Sequence, residues 1–263
     1  MGEGWQETKT PQIRMAAAHT DFPCLRIKPS ADVTACGYAQ VNVEVYGGAI
    51  LNTWLDRPLG IAGRVAVRTQ DAFAPKIVEF VSEKNLLTIP NLAIHMNREA
   101  NEGYKYNVQK DMLPLYGCGE TRGKFMEDIA CAAGVAQEDM IGSDLFLYNR
   151  MEGSIWGAQE EFISIGRLDD LQCAFASLQA FLEEDGGDSI PVHCVYDNEE
   201  VGSGTKQGAG STFLLDTLLR VNEGLGRSPG RYRWHPASCC LRTMPMAYIP
   251  IIPRRPARPI GLI

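Results

Sequence analysis

No uninterrupted apolar run in this chain approaches the ~20 residues needed to cross a bilayer, and the opening MGEGWQETKTPQIRM has no apolar stretch behind a basic start. Neither a membrane span nor a secretory leader is expected, and the chain reads as soluble and cytoplasmic. Basic charge is also short: 25 Lys and Arg stand against 32 Asp and Glu, a net charge of -7, with no basic stripe before the far end. Nucleic acid is a poor partner for such a surface. The eight cysteines contain no CxxC pair. Cys24, Cys36, Cys118, Cys131, Cys173 and Cys194 are scattered, mostly in apolar stretches, and read as reduced core thiols. Vicinal Cys239 and Cys240 suit neither an ordinary disulfide nor a zinc knuckle. No GK[ST] follows the glycine-rich VGSGTKQGAGS, and DNEE directly before it would crowd and repel a phosphate, which disfavours a nucleotide-binding loop. Acidic residues vanish after Gly230, where the chain turns rich in Pro and Arg and shows neither helical nor strand periodicity.

What is present suffices for a folded protein. Over 263 residues, 45% hydrophobic content can build one large core or two ordinary ones. IRMAAAHTD (13 to 21) reads as a short buried strand that carries His19 and Asp21 to its C-terminal end, where open α/β sheets keep their chemistry. Between about 24 and 148 the pattern is β-rich: YAQVNVEVYGG sets Val41, Val43 and Val45 on one face against Gln40, Asn42 and Glu44, and GRVAVR, KIVEFVSE and DLFLYNR are similar in kind. From about 149 the order becomes α/β. DDLQCAFASLQAFLEED predicts a helix with Leu171, Ala174, Phe175, Leu178, Phe181 and Leu182 on the face packed against a sheet. IPVHCVYD (190 to 197) predicts a buried strand, and a second helix follows with Ser211 as N-cap. The expected architecture is an α/β domain made of 1–23 and 149–263, interrupted by a β-rich insertion, 24–148, with 231–263 an anomalous tail.

Three clusters fall at strand ends or a helix start: His19 with Asp21, Asp169 with Asp170, and Glu199 with Glu200. An imidazole with carboxylates suits zinc, one carboxylate can bridge two ions, and adjacent glutamates can divide the work of ligand and base. Taken singly, a capped strand end and helix-dipole charges explain the first two clusters more simply, whereas DNEE directly after the apolar VHCVY is harder to dismiss as a solvated turn. The surrounding words are more specific. HTDFPCLRIKP, GYAQVNVEVYGGAILNTWLDRPLGIAGRV, IPNLAIHMNRE, GRLDDLQCAFASL and DNEEVGSGTKQGAGS occur in this order and at fitting spacing in the aspartyl aminopeptidase family, which the chain resembles over residues 13 to 228.

The resemblance implies a phosphorylase/hydrolase-like α/β zinc-peptidase domain with two zinc ions per site, an inserted β-rich domain used for assembly, and a homo-oligomer, dodecameric in the family, acting on peptides with a preference for acidic N-terminal residues. By position it implies that His19, Asp169 and Glu200 are metal ligands, with Asp169 bridging, that Glu199 is the general base, and that Asp21 orients His19. It implies that His95, otherwise readable as a satisfied core histidine, serves a neighbouring subunit's site. The base would take a proton from a zinc-activated water that attacks the first peptide bond. Two departures stand out. Asp170 occupies a position where asparagine is usual, and the family's Ser-Ala-Asp-x-Ala-His stretch and terminal histidine are not found; after Glu200 the one histidine is His235. A family segment preceding HTD is missing too. Shifted by two bases from Ala237, the tail's codons are able to spell a stretch resembling the missing one. A frameshift near Gly230, and with it an inactive or assembly-only relic, is therefore the alternative expectation.

Overall fold

The computed structural model of the chain describes residues 12–184, 189–224, 226 and 239–241. His235 and most of the tail lie outside them. Contacts divide the chain into two units: 1–21, 167–199 and 203–263 form the first, and 22–166 with 200–202 the second. Residues 149–166, expected with the α/β part, group with the β-rich unit.

In the first unit, strand β1 (Gln12–His19) pairs in parallel with the later strand of the sequence motif IPVHCVYD. Its small apolar residues explain this: Ile13, Ala17 and Ala18 are buried, as is His19 at the C-terminal end. Numbered in chain order, the second unit supplies β2 (Cys24–Ala35), β3 (Tyr38–Tyr46), β4 (Leu59–Val67), β5 (Lys76–Val81), β6 (Leu115–Cys118), β7 (Met140–Asn149), β8 (Ser154–Trp156) and β9 (Phe162–Ser164), with short helices α1 (Val108–Asp111) and α2 (Phe125–Ala132). The first unit resumes with α3 (Leu168–Leu182), β10 (Ser189–Tyr196), α4 (Phe213–Gly224) and β11 (Cys239–Leu241). Its parallel sheet runs β10-β1-β11. Of the expected tail, residues 239–241 form β11, which pairs beside Met15–Ala17.

Register places His19 opposite Tyr196, so both strands end together, and the ladder continues one step as Thr20 donates its N–H to the Tyr196 carbonyl at 3.1 Å. Helix α3 packs against this sheet through only part of the face the periodicity predicts. Ala174 is buried and Phe181 lies over His193, whereas Phe175 and Leu182 are 64% and 66% exposed and Leu171 and Leu178 are also open to solvent. The close side is built from small residues instead: the Ser177 hydroxyl sits 2.9 Å from His193 Nε2 on β10 and 2.6 Å from the Cys173 carbonyl. Small side chains let a helix approach a sheet closely, and period alone cannot show which of two mixed faces does so. At the start of α4, the Ser211 hydroxyl accepts the Phe213 N–H at 3.3 Å, as its place ahead of the helix predicts.

The second unit is an antiparallel sheet in the order β5-β4-β7-β2-β3-β6. Period-2 alternation produces its core: Val41 and Val43 from β3 meet Leu25, Leu59, Ile61, Val65, Leu145 and Leu147, and α2 adds Phe125 and Ile129. The thiol expectation needs correction here. Cys24 is buried, but Cys36, Cys118 and Cys131 are exposed, respectively in the β2–β3 turn, at the end of β6 and on the outer side of α2; none of the six scattered cysteines is in a disulfide among the described residues. Among the described residues no helix is long and apolar enough to cross a membrane. Because Leu147 is fully buried, Leu147→Ala is expected to destabilise this unit by about 2–5 kcal/mol. Urea denaturation of the variant against the parent checks this.

Candidate metal centre

The first unit gathers its chemistry at the ends of β1 and β10. His19 is only 4% exposed, and its ring is held from one side. Nδ1 lies 3.2 Å from Asp21 Oδ1 and 3.1 Å from the Asp21 carbonyl oxygen. Both are acceptors, so Nδ1 carries the proton and donates, which leaves the lone pair on Nε2. The same Asp21 oxygen accepts the Glu199 backbone N–H at 3.1 Å. One carboxylate thus ties the residue after β1 to the turn after β10.

Nε2 faces two further carboxylates: Asp169 Oδ1 at 3.4 Å and Glu199 Oε2 at 3.8 Å. These separations exceed a good hydrogen bond. They suit two donors of one ion, because a tetrahedral zinc with bonds of ~2.1 Å sets its donor atoms ~3.4 Å apart. Burial opposes a charged imidazole, yet the carboxylates of Glu199, Asp21 and Asp170 outweigh it and raise the His19 pKa above its usual value. The surrounding negative charge favours a cation at Nε2. Asp169 and Asp170 come from the start of α3, whose backbone is not yet helical there: Asp169 is extended at φ -85 and ψ 111, and Arg167 before it is left-handed at φ 67. That break sends Asp169 toward His19, which helix-dipole charges would not require.

Glu200 is the next residue in the single turn Glu199–Val201. Its position depends on Gly47 of the GYAQVNVEVYGG motif: a Cβ there would stand 2.9 Å from Glu200 Cβ, and Gly47 has φ +70. This dependence was not read from the sequence, although the Gly-Gly pair ending a strand was its visible signal. His95 lies on the second unit, exposed, with no hydrogen bond or ion pair among the described residues. It is therefore not the satisfied core histidine that composition alone would suggest. Asp170, singled out in the sequence beside Asp169, has a side chain that accepts the His19 backbone N–H at 3.2 Å, a contact the sequence did not reveal. His193, by contrast, is engaged locally by Ser177.

The family model described as aminopeptidase I zinc metalloprotease (M18) matches residues 1–241. The chain belongs to the M18 family. The resemblance read from its motifs is thereby borne out, as is the α/β peptidase fold. A probable M18 family aminopeptidase 2 from Clostridium acetobutylicum is 46% identical over 214 residues, 80% of this chain and 49% of that protein. Among solved M18-like structures, the cryo-EM structure of an Ape4 and Nbr1 complex matches with a TM-score of 0.75 at 33% identity, covering 84% of this chain and 47% of that one. The S. cerevisiae mApe1 dodecamer matches with a TM-score of 0.65 at 25% identity, covering 88% and 53%. The chain spans about half the length of the curated M18 relatives it matches.

Zinc is the metal in the family's description, and the residues present fit it. The donor set is one neutral imidazole with carboxylates, the free Nε2 points at them, and Asp169 is half open, its side chain 53% exposed, so that the site retains an accessible side. Asp21→Ala removes the acceptor for both Nδ1 and the Glu199 amide. It should weaken zinc binding roughly 10–100-fold in competition with a chromophoric chelator, and an unchanged affinity would show that Asp21 does not organise the centre.

Proposed function

We propose that the chain carries the metal-binding and base residues of a zinc-dependent aminopeptidase that hydrolyses the N-terminal peptide bond of peptides and favours acidic N-terminal residues. The observation that supports this most is His19, held at Nδ1 by Asp21 and turned at Nε2 toward Asp169 and Glu199. In this reading His19, Asp169 and Glu200 hold zinc, with Asp169 shared between two ions. When bound, the metal supplies a water of lowered pKa and polarises the scissile carbonyl. Glu199 accepts the proton of the attacking water and returns it to the departing amine. Asp21 fixes the imidazole tautomer and, through the Glu199 amide, the base itself. The remaining carboxylates give an anionic surface for the substrate's free ammonium. The preference for acidic residues rests on the motif resemblance.

The α/β part of the chain is then catalytic and the β-rich insertion serves assembly. The dodecamer of the S. cerevisiae relative supports a homo-oligomer, and the exposure of His95 leaves it free to serve a neighbouring subunit. We take the setting to be cytoplasmic, as the sequence suggested. A second reading is a homologue that assembles without turnover. It is favoured by the single imidazole in the described cluster, and by Phe175, Leu182 and Phe213, all 60% exposed or more on the unit that carries the cluster.

Zinc-loaded protein assayed on aspartyl, glutamyl and leucyl anilides separates these readings. The first predicts faster release from the acidic substrates, and a Glu199→Gln variant that keeps its zinc but loses about 10²–10⁴-fold in kcat. Zinc held firmly with no turnover on any substrate would support the assembly-only reading instead.

A further inference from the structure

Asp170 is 1% exposed, and its two oxygens are treated very differently. Oδ2 accepts the His19 backbone N–H at 3.2 Å, whereas Oδ1 is buried with no hydrogen-bond partner. None of the ion pairs among the described residues brings a lysine or arginine to Asp169, Asp170 or Glu199. A carboxylate removed from water is strongly unfavourable unless donors or a cation compensate it. Here its neighbours make matters worse. Asp169 directly precedes it in the chain, and the His19 that Asp170 holds is itself ringed by Asp21, Asp169 and Glu199.

The backbone contact does not explain the charge. The His19 N–H needs only an acceptor, and the carbonyl oxygen of an asparagine would serve equally well. The negative charge is thus in excess of the structural task, at a place where the positive partner left to it is an ion held by the cluster it adjoins.

We infer that Asp170 is a positioning residue of the metal centre, whose buried carboxylate, through its hold on the His19 backbone and its charge beside the cluster, tightens divalent-cation binding at the His19–Asp169 cluster. A carboxylate that does not itself coordinate acts alike on divalent ions of equal charge, so manganese and zinc should both lose affinity without it. This inference rests on the metal-centre reading above.

Asp170→Asn in the full chain tests it, by calorimetric titration with Mn²⁺ and separately with Zn²⁺. Circular dichroism and thermal melting of the metal-free proteins confirm the fold. Both affinities should fall, by roughly 10–100-fold. Unchanged affinities overturn the inference while leaving the metal centre standing. A parent chain that binds neither ion refutes the metal centre itself, and this inference with it. Should the asparagine variant not fold, Asp170→Ser, which keeps an uncharged acceptor, carries the same expectation.

Discussion

The Asp21 carboxylate is the fastening on which the centre depends. β1 and β10 are parallel neighbours that end in register at His19 and Tyr196, and backbone pairing alone would leave the residues beyond them free to splay. Asp21 prevents this by accepting from the His19 ring and from the Glu199 amide with one oxygen. Charge-assisted bonds to a largely buried carboxylate are stronger than neutral ones. Fixing Nδ1 as the donor also decides which nitrogen remains able to bind a metal. A tautomer, a ring orientation and the placement of the base therefore follow from one side chain.

The arrangement is chemically unbalanced without a cation. Around a buried imidazole stand Asp21, Asp169, Asp170 and Glu199, and the raised His19 pKa is the same imbalance expressed as proton affinity. Carboxylates converge in this way where an ion repays their repulsion, and binding energy then becomes folding energy. The M18 membership and the geometry agree on this point from separate directions. One comes from matched sequence, the other from donor spacing and the free Nε2.

Much of this was legible in the sequence where a single periodicity dominates. β3, β4 and β7 showed themselves because one face is buried and the other wet, and the strand ends at His19 and Glu199 were marked by apolar runs passing abruptly into polar residues. Helix α3 was only partly legible: Ala174 and Phe181 of the expected face meet the sheet, but so does Ser177, while Phe175 and Leu182 stay exposed. The exposed thiols were misjudged because neighbouring apolar residues do not report a turn such as that at Cys36, where φ is 51. Asp170 illustrates the deeper limit. Two adjacent aspartates look alike in sequence, but a non-helical entry into α3 leaves one half exposed beside His19 and the other sealed beneath it.

The most direct measurement is anomalous diffraction at the zinc edge from crystals of the zinc-soaked chain. The account predicts a strong peak ~2.0–2.2 Å from His19 Nε2 and from carboxylate oxygens of Asp169 and Glu200, with Glu199 beside it. A peak at the cysteines or at His193, or none at His19 under saturating zinc, would contradict it.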